Sequence, residues 1–360
     1  MKQLFPMFLL LFVLCSCAGV QQKQDEAETV FYPSLPQQPR LQYLTTINSE
    51  QDIEEPRSDF AQFVIGDVAA DKIIGKPYDI GSLPGKIFIL DRTFKKLLVI
   101  DLAKRQFNFL DDKGMGSLLD PSGIWISADG KKYITDMQRQ QIVVFDSENN
   151  YLRSYGNKEM LARPVDVAVY QGRLYVCDMD ANRVAVIDEA SGELLRYFGQ
   201  LQSADGSLYK PSHIDIDQHG NIFVNDAFNH QIRQFDATGV HLKSFGYHGD
   251  AVGAFARPKG LDVDRQGRLY AVDAAFENVQ IFDTDSVRLL LFFGGGGTNP
   301  GDMYLPAGIH IDYANAEYFA EFADKDFQLE YLVYVGNMFG TDKLNVYGYG
   351  TWKGSELPLQ

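Results

Sequence analysis

A proline returns along this chain every 43 to 48 residues: Pro77 in KPYDI, Pro121 in DPSGI, Pro164 in RPVDV, Pro211 in KPSHI, Pro258 in RPKGL and Pro306 in LPAGI. Asp91, Asp136, Asp178, Asp226 and Asp273 follow the first five prolines at 14 or 15 residues. Six residues beyond each aspartate a further apolar run is under way, at Leu97, Ile142, Val184, Ile232 and Val279. The fourth unit shows the grammar best, as HIDID, IFVND, QIRQF and HLKSFG, four short runs with strand alternation. One four-stranded sheet cannot bury both faces, but sheets packed around an axis bury each other's. A period of roughly 40 to 50 residues with several strands per unit therefore predicts an all-β, six-bladed β-propeller of four-stranded antiparallel blades.

The sixth unit departs from the rule. Its aspartate position is filled by Asn337 in YLVYVGN, 31 residues after Pro306, and the added stretch YANAEYFAEFADKDFQLE is acidic and aromatic, suited to a short helix or an ordered loop. Three strands are legible there, over residues 309–313, 330–335 and 343–349. The fourth is expected from RLQYLTTI, residues 40–47, which would close the ring and remove an exposed sheet edge. The expected organisation is a leader over 1–16, a tether over 17–39, a closing strand and lead-in over 40–75, six repeats over 76–350 and a tail over 351–360.

The stretch FGQLQSADGSLYKPSHIDIDQHGNIFVNDAFNHQIRQFD, repeated as FGYHGDAVGAFARPKGLDVDRQGRLYAVDAAFENVQIFD, resembles the NHL repeat of six-bladed propellers. The resemblance covers about residues 76 to 350 and is most specific over residues 210–282. It implies that the position two after each proline points at a central funnel: Asp79, Gly123, Asp166, His213, Gly260 and Gly308. Propellers of this shape include peptidyl-amidoglycolate lyases and gluconolactonase-like hydrolases. The lyases hold zinc with several funnel histidines, whereas here His213 alone occupies such a position and His310 lies two residues further along its strand. Asp79, Asp166 and His213 are the candidate ligands for a divalent metal. Aspartates at strand starts commonly accept backbone amides instead, so no cofactor is expected, and the reading leans away from an enzyme. The five repeated aspartates read as architectural for the same reason.

The formal charge of −15 and pI near 4.8 repel phosphate backbones, which disfavours a nucleic-acid partner. Near the N-terminus the apolar run at residues 4–14 is short for a bilayer span, which needs roughly 20 residues, and reads as a signal peptide. Leu14-Cys15-Ser16-Cys17 resembles a lipobox, making Cys17 the expected lipidation site and the bacterial cell envelope the expected location. Ala18 after it favours the outer membrane. Cys177, in RLYVCD, reads as a small buried hydrophobe. The sequence holds no CxxCH, GK[ST], HExxH or GxSxG motif.

What varies between units is the loop after each repeated aspartate: RTFKK, MQRQQ, MDANR, AFNHQ, AAFEN and MFGTD. Phe94, Met137, Met179, Phe228, Phe276 and Phe339 are expected to form an apolar rim there, with Phe228, Asn229, His230, Phe276 and Glu277 as the partner-binding candidates. The sequence thus reads as a membrane-anchored, non-catalytic platform for an envelope protein or peptide. The alternatives are a metal-dependent lyase or lactone hydrolase working in the funnel, and a structural subunit of an envelope complex, including one with redox partners.

Overall fold

Proline lacks the amide hydrogen that a strand interior must donate, so it is tolerated where a strand begins. In the computed structural model, which describes residues 29–54, 70, 72–200 and 206–354, all six repeated prolines open a strand: Pro77–Leu83, Pro121–Ile126, Pro164–Tyr170, Pro211–Ile216, Pro258–Val263 and Pro306–Asp312. Each is the innermost strand of its sheet, and the pairing register shifts just after each proline. The first five sheets are four-stranded antiparallel meanders. Consecutive inner strands touch around a ring, and the strand from Pro306 returns to the strand from Pro77. The fold is an all-β six-bladed propeller.

The hydrophobic core is divided among the blade junctions, because successive strand residues face opposite ways. Ile87 and Ile89 of blade one join Leu332, Tyr334 and Val346 of blade six. Phe88 and Leu90, between and beyond them, join Ile124, Ile134 and Val143 of blade two. In blade three, Leu174 and Val176 face blade two while Tyr175 and Cys177 face blade four. A buried aliphatic of this kind contributes about 1.5–3 kcal/mol. Cys177 is a buried free thiol whose pKa burial pushes well up.

Ring closure follows the expected route. Leu41–Ile47 pairs antiparallel with Leu344–Trp352 and becomes the fourth strand of blade six. Leu44 and Ile47 enter the junction with blade one, and Leu41 the junction with blade five. The structure adds a fifth strand, Phe31–Tyr32, on the outside of Leu41–Ile47. This shortens the expected tether at its C-terminal end, and Thr351 and Trp352 of the expected tail belong to the sheet. The leader and Cys17 lie outside the described residues. In the sixth-unit insertion, residues 316–322 form a 3-10 helix that buries Phe319 against the junction of blades six and one. Asn315 beside it accepts from Gly85 N at 2.6 Å and donates to Leu83 O at 3.0 Å, tying the insertion to blade one. Among the described residues, no helix is long and apolar enough to cross a membrane.

Candidate functional site in the central funnel

The repeated aspartates are spent on the loops they terminate. Asp273 takes amides from Ala256, Arg257, Ala275 and Phe276. Asp136 takes Leu119, Asp120, Gln138 and Arg139, and Asp91 takes Gly75, Lys76, Thr93 and Phe94. Asp178 and Asp226 replace some amides with arginine, from Arg183 at 3.1 Å and Arg233 at 2.6 Å. All five carboxylates are buried, and a buried acceptor is stable only when satisfied.

The funnel carboxylates are a different set. Asp79 accepts its own strand's Ile80 N at 2.9 Å and blade two's Ile124 N at 2.7 Å. Asp166 repeats this with Val167 N and blade four's Ile214 N, at 2.8 and 2.9 Å. Asp215 reaches Val263 N of blade five at 2.9 Å, and Asp262 reaches Ile311 N of blade six at 2.8 Å. Ser122 Oγ donates to Val165 O at 2.7 Å between blades two and three. His310 closes the circle: Nδ1 lies 3.2 Å from Asp262, and Nε2 lies 2.9 Å from Ser82 Oγ of blade one. A side chain thus stitches the inner strands at every junction.

Apart from Ser122, these side chains line a cavity of about 140 Å³. Burial pushes Asp79 up to about 7, and it raises Asp166 and Asp215 well above the carboxylate range, helped by Asp79 and Asp262 respectively. Burial alone would lower His310, but the hydrogen bond and charge of Asp262, with Asp312 and Asp79, outweigh it and raise its pKa. His213, 3% exposed, is pulled down to about 3 by burial and by Lys259, so it is neutral. Its Nδ1 meets Ser212 Oγ at 3.0 Å, and its Nε2 has no partner among the described residues.

The sequence-derived set is only partly brought together. Asp79, Asp166 and His213 all line the cavity. Among the described residues, however, no group of three or more His, Cys, Asp or Glu is placed to hold a metal ion. Asp79 and Asp166 spend their oxygens on strand amides, so the three do not fit as a metal set. The glycines at the same repeat position face neighbouring strands. A Cβ on Gly123 would lie 2.3 Å from Asp166 Oδ1, and on Gly260 2.4 Å from Ala307 O. Glycine there permits the inner strands to approach. Sequence reasoning misses Asp215 and Asp262 as funnel residues and leaves His310 two residues past the funnel position, although all three stand four residues after their prolines.

The loop face is less uniform than expected. Phe228 is 62% exposed and packs edge-on against Tyr209 at 5.3 Å. Phe339 is exposed beside Tyr304 at 6.5 Å, and Phe94 is exposed beside Phe109 at 5.0 Å. Phe276 and Met179 are half-buried, and Met137 is buried, which removes it from the rim. Asn229 is tied down through Nδ2 to Asp226 at 2.7 Å. His230 and Glu277 share a turn position with Lys95, Gln140 and Asn182, all with φ between 52° and 56°. The His230 ring lies 4.3 Å from that of His248, and Glu277 accepts Leu305 N at 3.2 Å.

No family model matches the chain. Solved structures share the fold at low identity. An auxiliary nutrient binding protein from Bacteroides thetaiotaomicron is 14% identical, with 87% of this chain and 77% of that one covered at a TM-score of 0.58. A protein of unknown function from the same organism is 14% identical over 86% and 75% of the two chains, at 0.58. A catalytically inactive virginiamycin B lyase from Staphylococcus aureus, with quinupristin, is 17% identical over 76% and 95%, at 0.51. At these identities the likeness is one of fold.

Proposed function

We propose that this chain is a binding module of the bacterial cell envelope, of the NHL-repeat lipoprotein type, anchored in the outer membrane through Cys17 and docking a protein or peptide on its loop face. The observation that carries the reading is the aromatic pairing on that face: Tyr209 with Phe228, and Tyr304 with Phe339, all substantially exposed. Aromatic side chains give large contact area at little entropic cost, and they dominate binding hot spots. A rigid ring carrying them loses little further freedom on binding. Site-specific photo-crosslinking in cells tests this. A benzophenone amino acid at Phe228 or Phe339 should give a discrete adduct, and the same group at Leu242, exposed on an outer strand, should not. Indistinguishable adduct patterns from the two faces would sink the reading.

A second reading, a lyase or lactone hydrolase, draws on the chain Ser82–His310–Asp262 beside the cavity. The order is that of a proton relay. Two features weigh against it. The raised pKa of His310 favours the imidazolium, which cannot take a proton from Ser82. The cavity is also smaller than the ~300–1,000 Å³ of ordinary small-molecule pockets.

A further inference from the structure

We infer that the loop-face mouth of the funnel is a carboxylate-binding site built from Lys259, Arg257 and the Nε2–H of His213; the inference deepens the binding reading above and rests on it. The first observation is an unanswered cluster of cations. Lys259 and Arg257 flank Pro258 at the start of the fifth inner strand, and neither has an ion pair among the described residues. The chain carries a net charge of −15, yet among the described residues no carboxylate pairs with either. Arg92 lies over the Tyr78 ring at 5.0 Å, and Tyr78 in turn reaches across from blade one to the His213 ring of blade four at 5.7 Å. Burial and the neighbouring Arg257 and Arg92 depress the ammonium of half-buried Lys259; Arg92 is itself paired with Asp120 at 3.3 Å, which leaves Lys259 and Arg257 as the uncompensated charges.

The second observation is the orphaned nitrogen of His213. Asn225 Nδ2 contacts Ser212 Oγ at 2.8 Å while also donating to Pro258 O and Lys259 O, which fixes its orientation as a donor. With Asn225 as donor to Ser212 Oγ, the serine hydrogen is free to point at His213 Nδ1, 3.0 Å away, and the proposed site uses that tautomer. A neutral imidazole accepting at Nδ1 carries its proton on Nε2. That N–H is buried, lines the funnel and has no acceptor among the described residues, which is unfavourable unless something supplies one.

An anionic oxygen answers both observations: it accepts from the imidazole and neutralises the cations, and charge-assisted bonds of this kind are roughly twice as strong as neutral ones. The acids beyond it select among anions. Asp79, whose pKa is pushed up to about 7, is partly ionised near neutral pH and lines the cavity alongside His213, so a dianion meets more repulsion than a monoanion. This favours a carboxylate over a phosphate. The carboxylate can come from a peptide C-terminus or from a free organic acid.

The test uses the whole purified protein with labelled histidine. N-acetyl-trialanine, its C-terminal amide, acetate and inorganic phosphate are each titrated while the His213 ring resonances are followed. The free-acid peptide should move them saturably and the amide should not, placing a chain terminus at the site. A saturable response to acetate of equal affinity also supports the site and assigns a free acid as the source. Lys259→Met, nearly isosteric and apolar, should weaken the response by roughly tenfold or more. Arg257→Gln, at an exposed position, is the second variant should the first unfold. No saturable response to either carboxylate, or one unchanged in both variants, overturns the inference, and an equal or stronger response to phosphate overturns the choice of carboxylate. The crosslink from Phe228 reads loop-face docking separately, so its persistence beside a silent His213 would remove this site alone.

Discussion

Blade five is one uninterrupted stretch of chain, residues 258–294, whose four strands pair in order and whose turn is held by Asp273 through four amides. Blade six, packed against it, takes three strands from the end of the chain and its fourth from Leu41–Ile47, nearly 300 residues away in sequence. At the equivalent turn Asn337 accepts one amide, from Tyr304 at 3.2 Å, and returns a hydrogen bond to Asp342 O at 2.9 Å. The same packed sheet is reached in one case by local pairing and in the other by long-range closure. The difference shows what a repeat must keep. Inner-strand stitching survives intact, since Asp262 of blade five meets Ile311 and His310 of blade six, whereas strand order and turn chemistry are free to change once another part of the chain supplies the missing edge.

The sharpest test of that difference removes the closing strand. A chain lacking residues up to 47 loses Leu41, Leu44 and Ile47 from two junctions and leaves Leu344–Trp352 as an open edge. At about 1.5–3 kcal/mol for each side chain, the loss rivals the stability of a whole domain, ~5–15 kcal/mol. The expected result in thermal unfolding and size-exclusion chromatography is a broad, low transition and aggregates. A chain beginning at Thr29 is the control, and equal melting of the two would break the comparison. Next in size is the pair of turn residues. Asp273→Ala leaves four part-buried backbone amides without their acceptor and should cost about 3 kcal/mol in urea unfolding, against about 1 kcal/mol for Asn337→Ala. Equal costs would mean that blade six depends on its turn as much as blade five does.

The smallest effect lies at the seam between the two blades. The pKa of His310 is raised in the fold, so its contribution to stability is complete below the unfolded value near 6.5 and is lost as pH rises through the folded value. The stability advantage of the native protein over His310→Gln should therefore shrink as pH rises above about 6.5 and through the raised folded value. Urea midpoints across that range check this, and an advantage that grows with pH would contradict the ion pair with Asp262.

The architecture was legible because it is periodic. Proline can open an inner strand but not continue one, and a buried aspartate can hold several loop amides at once, so both recur wherever a blade recurs. The borrowed strand at residues 40–47 was legible by arithmetic: three visible strands and a missing fourth. The funnel was only half legible. Asp79, Asp166 and His213 were found by counting two residues from each proline, but the count also pointed to Gly123, Gly260 and Gly308, which turn to their neighbours. The register shift after each proline hides which way a side chain points. Phe228 and Phe276 looked alike in their loops, yet one is exposed and the other half-buried, because the surrounding blades decide what covers each ring.

The sequence by itself determined the number of blades, the starts of their inner strands, the turn carboxylates and the source of the closing strand, since each follows from short-range chemistry repeated at a fixed period. Tertiary structure alone decided which residues meet across the axis. Tyr78 and His213 are 135 positions apart, and Ser82 and His310 are 228 apart. No local signal joins such pairs. They meet because the ring closes, and closure also withholds water from Asp79, Asp166 and Asp215, raising pKa values that the same side chains would not show on an open strand.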